Sequence, residues 1–287
     1  VAIKTILPHL ADEPEFERMF LDEARIASGV HHPNVCAVLD SGFTDAGVPF
    51  LVMERLFGES LRTTLQRERQ LGVGESIAIA LQLLSALDAV HAAGIVHRDV
   101  KPDNVILVWR GGCDPLVKLL DFGLCRRAAR QTTDEETMTC EGALVGTPEY
   151  MAPGQVLGST SVDVRVDIYA VGVLLYEALT GDRVFFSKNV RDILEGVMNK
   201  RLSPIRRVRR DVPRSLEAVV ARAMDRNPSR RHPTARAFQD DLVAVREELA
   251  AAARAAQAEL DAWELPTTPL VRAGRGASRF ALGARAA

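Results

Sequence analysis

The run His97-Arg98-Asp99-Val100-Lys101-Pro102-Asp103-Asn104 and the tripeptide Asp121-Phe122-Gly123, which starts seventeen positions past Asn104, hold the chemistry of this sequence. They combine an Asp that can receive a hydroxyl proton, an Asn and a second Asp that can ligate a hard cation, and a Lys that can face a phosphate. Those are the parts phosphoryl transfer needs. Its transition state spreads negative charge over phosphoryl oxygens and is stabilised by positioning, metal ions and fixed positive charge. Either motif alone is common and means little. Both together, in this order and spaced by one hairpin, are specific.

Lysine usage points to the same places. The chain keeps only Lys4, Lys101, Lys118, Lys188 and Lys200 among its basic residues, the others being Arg. A chain with this bias retains Lys by chance or where a compact ammonium is required, because a planar guanidinium does not replace it. Lys101 sits inside the first motif, and Lys4 ends the opening run Val1-Ala2-Ile3-Lys4.

The elements that must position these groups read as a small mixed lobe followed by a larger helical one. Val1–Leu7 is strand-like and rich in β-branched residues. Pro14 opens an amphipathic helix with Phe16, Met19, Phe20 and Ile26 on one stripe, ended by Gly29 and the His31-His32-Pro33 turn. Glu23 falls on that stripe, and a carboxylate turned inward needs a cation beside it; a surface Glu like its neighbour Asp22 is the other reading. Strands at Val35–Leu39 and Phe50–Glu54 follow, joined by the turn Thr44-Asp45-Ala46-Gly47. From Glu59 the chain turns helical, with Ser76–Ala93 stopped by Gly94, and with Asp167–Thr180 apolar nearly all round and therefore expected at the centre. Short strands at Val105–Val108 and Leu116–Leu120 flank Gly111-Gly112, and further helices are expected at Val190–Asn199, Pro213–Met224 and Thr234–Leu249. Arg206-Arg207-Val208-Arg209-Arg210 reads as an exposed loop. Leu249–Leu260 continues the last helix, and the tail after Pro266, with Arg272, Arg275, Arg279 and Arg285 but no acid, reads as disordered.

Composition narrows the function classes. The 287 residues carry 36 Lys+Arg against 38 Asp+Glu, a net charge of −2, which argues against a general nucleic-acid binder. No uninterrupted apolar run approaches bilayer thickness; the longest stretches, such as Ala170–Tyr176, stop after a few residues. Cys36, Cys113, Cys125 and Cys140 show no CxxC spacing, so neither a zinc site nor a disulfide framework is indicated, and reduced thiols in the cytoplasm are expected.

The chain resembles the eukaryotic-like (Hanks-type) serine/threonine protein kinases of bacteria. The resemblance rests on Val1-Ala2-Ile3-Lys4, Glu23 on the next helix, Met53-Glu54-Arg55-Leu56, the two motifs above, and Gly146-Thr147-Pro148-Glu149-Tyr150-Met151-Ala152-Pro153; it covers roughly Val1 to Val245. It implies an α+β, two-lobed kinase fold. An incomplete antiparallel-sheet lobe and hinge would span residues 1–56, a mainly helical lobe 57–248, and an Ala-rich helical extension with a tail 249–287. It also implies roles. Lys4 would hold the α- and β-phosphates of ATP with Glu23 as its partner. Met53 would be the gatekeeper, and the backbone of Glu54 and Leu56 would meet the adenine edge. Asp99 would accept the substrate hydroxyl's proton, Lys101 would contact the γ-phosphate, and Asn104 and Asp121 would ligate Mg²⁺, or Mn²⁺ in its place. Phe122 would pack behind Asp121, and Asp167 would brace the catalytic loop. Arg98 would read a phosphate placed on Thr137 or Thr139 by autophosphorylation, a step that brings two copies of the chain together. Thr147 with Lys101 points to Ser/Thr acceptors. The partners implied are protein substrates and ATP, with no nucleic acid and no membrane segment.

Two departures from the family pattern carry expectations. The glycine-rich loop and its strands, which precede the Val-Ala-Ile-Lys strand, are absent, so the chain reads as a fragment whose first strand is an unpaired edge. ATP would be held but not capped, and transfer by residues 1–287 alone is expected to be slow until the upstream segment is restored. Second, the family's Ala-Pro-Glu stands here as Ala152-Pro153-Gly154. Arg231, which that Glu would pair with, is therefore expected to be unpaired, with Glu149 as a conceivable substitute. Intact Lys4, Glu23, Asp99, Asn104 and Asp121 favour a working kinase. A pseudokinase-like scaffold is the alternative that Gly154 and the missing loop favour.

Overall fold

The computed structural model describes residues 1–6, 14–109, 111, 114–121, 148–159, 162–200 and 202–264. One compact unit covers Val1–Glu247 and a second covers Glu248–Ala287. In the first, β1 (Ala2–Thr5), β2 (Val38–Phe43) and β3 (Pro49–Met53) form an antiparallel sheet in the order β1-β3-β2, with α1 (Pro14–Ser28) packed on β2 and β3. Strand alternation sends Lys4 to one face and Ile3, 65% exposed, to the other. Lys4 lies opposite Leu51 in the ladder, and Leu51 packs with Ile6 and Phe20 in the small core beneath the sheet.

The strand expected at Val35–Leu39 is displaced. Val35 instead bridges Leu119 in parallel, with Cys36 N–H donating to Leu119 O (2.9 Å) and Leu119 N–H to Asn34 O (2.8 Å). Apolar β-branched residues favour extended backbone without naming the partner, and here the partner is a strand 83 or more positions away. The side chain of Asn34 locks the junction by donating to Val117 O and to Gln82 Oε1.

Next come β4 (Glu59–Ser60) and α2 (Leu61–Glu68), which starts where the Ser60 hydroxyl accepts from Thr63 N–H, an N-cap within the region read only as helical. α3 (Val73–Ala92) follows, and β5 (Val105–Val108) and β6 (Leu116–Leu119) complete a second sheet ordered β4-β5-β6. α3 is long and apolar enough to span a bilayer by length and composition, a possibility the search for uninterrupted apolar runs passed over. Its Ile77, Leu83, Leu84 and Leu87 are wholly buried inside the first unit, so it is a core helix.

α4 (Pro153–Val156) precedes α5 (Arg165–Thr180), which is buried at every position from Val166 to Thr180, as its all-round apolar pattern predicts. Gly181, at φ 77°, ends it by donating to Glu177 O (2.7 Å). α6 (Val190–Asn199), α7 (Ile205–Val208), α8 (Arg214–Ala223) and α9 (Ala235–Glu264) complete the order. The Arg206–Arg210 run is not a loop: α7 takes part of it, and Arg209 donates to Leu71 O and Leu179 O. Those carbonyls lie at or beyond helix ends, where a basic side chain is the natural donor. α9 buries Phe238 and Leu242 and runs on as far as Glu264. The residues after it lie outside the described part.

Gly58 and Gly74 test this packing. A Cβ at Gly58 would stand 2.1 Å from Leu107 O, whereas at Gly74 it would meet nothing within 4 Å. Gly58→Ala should lower the unfolding free energy by about 1–3 kcal/mol, and Gly74→Ala in α3 should raise it by roughly 0.5–1 kcal/mol, both read by urea denaturation.

Candidate active site

α5 positions the catalytic loop from below. Its Asp167 accepts His97 N–H at Oδ2 (2.9 Å) and Arg98 N–H at Oδ1 (2.7 Å), and His91 Nε2 lies 2.8 Å from Oδ2. Pointing two successive N–H groups at one carboxylate puts Arg98 in the left-handed region, at φ 66°. The His97 ring then contacts Leu120 O through Nε2 (2.9 Å) and accepts Asp99 N–H at Nδ1, which fixes the proton on Nε2. Loop and β6 are also joined by Leu120 N–H donating to Asn104 O (2.8 Å). The two motifs are therefore one structure: what holds His97 also holds the end of the strand that carries Asp121.

Asp99 Oδ2 receives two donors, Lys101 Nζ at 3.0 Å and Asn104 Nδ2 at 2.9 Å. Asn104 Nδ2 also donates to Asp99 O (2.8 Å). With its amide hydrogens spent this way, Asn104 presents Oδ1 as an acceptor that no described residue engages. Lys4 Nζ reaches Asp121 Oδ1 at 2.9 Å, across 117 positions of sequence. Asp121 holds φ 45°, in the left-handed region that few residues besides Gly, Asn and Asp adopt. An Asp carboxylate and an Asn carbonyl are the hard oxygen donors that a small divalent cation takes, so the residues present fit Mg²⁺ or Mn²⁺.

Lys101 stands 3.0 Å from Asp99. Glu23 lies on α1 with its side chain outside the described part, and Lys4 pairs with Asp121. Two expectations meet the structure differently. Arg231 is not orphaned by Gly154. Its guanidinium donates to Asp225 O (2.6 Å), Arg165 O (2.9 Å) and Arg226 O (3.2 Å) and stacks 4.7 Å over the Tyr169 ring. Three carbonyls and an aromatic face replace one carboxylate, while burial pulls the Arg231 pKa below its usual value. Glu149 is not its substitute either; it lies 3.6 Å from Arg183 Nε, and burial pushes its carboxyl pKa up against the pull of that arginine. Phe122, Thr137, Thr139 and Thr147 lie outside the described residues.

At the hinge, Met53 ends β3 and packs on the Ile6–Phe20–Leu51 core. Glu54 N–H donates to Ala37 O (3.0 Å), and its carboxylate takes Ala37 N–H (2.9 Å) and the Lys118 ammonium. Lys118 is buried and also donates to Val35 O (3.3 Å). Lysine scarcity singled out Lys4 and Lys101 but should have flagged Lys118 too. Burial, then the charge of Glu54, pushes the Cys36 thiol up to about 11. Leu56 is half-buried, and no hydrogen bond occupies its N–H among the described residues.

A second polar cluster escaped the sequence reading. Arg62 donates to Glu177 Oε1 (2.7 Å), to the Tyr150 hydroxyl (2.7 Å) and to Asp103 Oδ2 (3.4 Å), and the Tyr150 hydroxyl donates to Glu177 Oε2. Arg62 on α2 and Glu177 on α5 are 115 positions apart, and neither falls in a recognisable motif.

A family model described as "Protein kinase domain" matches residues 1–243. The chain belongs to the protein kinase family. Serine/threonine-protein kinase pkn3 of Myxococcus xanthus is 38% identical over 252 residues, covering 86% of this chain and 46% of the relative. Tyrosine-protein kinase MasK of the same species is 38% identical over 254 residues, covering 84% and 38%. The crystal structure of the Mycobacterium tuberculosis PknI kinase domain superposes with a TM-score of 0.63 at 27% identity, covering 84% of this chain and 83% of that one. The kinase chain thus spans less than half the length of these curated relatives. Within this kinase fold, Arg231→Leu should cost about 2–4 kcal/mol by stranding three carbonyls. Gly154→Glu, where a Cβ meets nothing within 4 Å, should change stability by less than about 0.5 kcal/mol. Urea unfolding of both variants checks the pair.

Proposed function

We propose that this kinase domain transfers the γ-phosphate of ATP to Ser/Thr hydroxyls of proteins. The observation that carries the reading is the convergence of Lys4 on Asp121, with Asp99, Lys101 and Asn104 tied to the same strand end through His97 and Leu120. Asp99 orients the acceptor hydroxyl and takes its proton. Lys101, already at Asp99, is near enough to turn to the phosphate oxygens as charge develops on them. Asp121 and Asn104 would hold a divalent cation, which would supply charge neutralisation at the phosphates. Lys4 leaves Asp121 for the phosphates, with Glu23 available on α1 to support it. The backbone of Glu54 and Leu56, beside Met53, meets adenine, with the Leu56 N–H as donor. Relatives named as serine/threonine kinases support a Ser/Thr acceptor, and MasK, named a tyrosine kinase at the same 38% identity as pkn3, makes a Tyr peptide the control.

Regulation belongs to the same reading: Arg98 binds a phosphate on Thr137 or Thr139, placed there by a second copy of the chain. ATP as the phosphoryl donor puts the reaction in the cytoplasm. With radiolabelled ATP and a Ser/Thr peptide, Asp99→Asn should lower kcat by roughly 10²–10³-fold while ATP binding by calorimetry persists. Lys4→Met should weaken ATP binding as well. Transfer unaffected by Asp99→Asn would overturn the assignment, and ATP binding with no transfer by any form, including one extended upstream, would favour the scaffold.

A further inference from the structure

A cavity of about 340 Å³ opens where α5, α6 and the end of α8 meet. Buried Phe185, Val197 and Met224, with half-buried Leu202, make its apolar wall. α8 comes close enough to supply Met224 because α5 carries Gly172 at the contact, where a Cβ would stand 2.8 Å from Met224 Cγ. Volume and lining are those of a small-molecule pocket, which joins apolar walls to a few polar groups that fix orientation.

Three polar side chains, Tyr169, Lys200 and Arg226, line the same space. Tyr169 is 2% exposed, yet its hydroxyl makes no hydrogen bond among the described residues, whereas a buried phenol ordinarily finds a partner. Its ring is already held by the Arg231 guanidinium stacked on it, so the hydroxyl is not what places it. Burial pushes the hydroxyl pKa up to about 12 against the charges of Arg231 and Arg226, so at neutral pH it is a donor without an acceptor. Lys200 gives one ammonium hydrogen to Val184 O (2.6 Å), and Arg226 gives Nη2 to Lys200 O (2.5 Å). Neither cation forms an ion pair among the described residues, and no described acidic side chain lines the cavity.

We propose that this cavity binds a small amphiphilic carboxylate, its apolar body against Phe185, Val197, Leu202 and Met224 and its head between Lys200 and Arg226, accepting from the Tyr169 hydroxyl. An inorganic anion would leave the apolar wall uncovered, and a neutral apolar molecule would leave the buried phenol unmet. Only a ligand with both parts answers both. None of these residues lies in the catalytic loop or touches Lys4 or Asp121, so the site stands apart from phosphoryl transfer and does not depend on that assignment.

Isothermal titration calorimetry on this chain without nucleotide would compare octanoate with octanol, octylamine and acetate, which remove the charge, reverse it or remove the body. Octanoate should bind with a Kd below about 1 mM and at least about 10-fold tighter than each of the other three. Tyr169→Phe deletes only the unpartnered hydroxyl and keeps the ring under Arg231. It should weaken octanoate roughly 5–10-fold while the urea midpoint stays at or above that of the wild type, whereas a hydroxyl with a structural role would lower the midpoint. Arg226→Gln, at an exposed position, should weaken octanoate to a similar degree. Circular dichroism checks that both variants are folded; if one is not, the other decides. Three results each overturn the proposal: no binding of octanoate, octanol or octylamine binding as tightly, or octanoate affinity unchanged in the folded variants.

Discussion

The carboxylate of Asp167, 1% exposed, takes two consecutive backbone N–H groups from the catalytic loop and lies against His91. A buried charge is tolerable only when its lone pairs are filled, and here the partners that fill them belong to the segment the reaction needs immobile. Holding Arg98 left-handed costs on the order of 1–2 kcal/mol. Two charge-assisted hydrogen bonds, roughly 1.5–3 kcal/mol each, offset it. His97, fixed by that grip, reaches Leu120 and so carries the constraint to the residue before Asp121. One helix carboxylate therefore sets the spacing between Asp99, the proposed proton acceptor, and Asp121, a metal-ligand candidate.

The sheet of β1, β2 and β3 is joined to the larger helical part by contacts that are long-range in sequence. Lys4 reaches Asp121, and the Glu54 carboxylate gathers both Ala37 N–H and the buried Lys118 ammonium. The Lys118–Glu54 pair, with side chains 9% and 26% exposed, differs from surface ion pairs, which contribute little, whereas Lys4 and Asp121 are 30% and 40% exposed. Each lies where a strand end meets a connecting segment, so each fixes an orientation between layers as well as contributing energy. The Lys4–Asp121 pair has a further property. Under the proposed function its two members are the groups that nucleotide phosphates and a divalent cation would separately claim, so the pair would open when those ligands bind.

What the sequence made legible follows from chemistry that is local. The Asp, Asn and Lys of the first motif lie within eight consecutive residues, so their types and spacing already suggest the roles proposed for them. The buried course of α5 is written in its apolar letters. The rest depends on partners that no local pattern names. Arg231 exchanges an expected carboxylate for three carbonyls, because backbone acceptors are present in every sequence and invisible as letters. Val35 bridges Leu119 instead of joining β2, although its residue type suits either. Arg209, in a run that looked solvated, reaches carbonyls more than a hundred positions away at Leu71. Arg62 and Glu177 meet from two helices that each look ordinary.

Cys36 shows what the Glu54–Lys118 junction does to a neighbour. A thiol titrating at about 11 is ionised at pH 7 in only about one molecule in ten thousand. Electrophiles and peroxides attack the thiolate, so this sulfur is shielded by acidity as well as by its surroundings. The crossing from sheet to helices thus holds a buried cysteine whose reactive thiolate form is disfavoured.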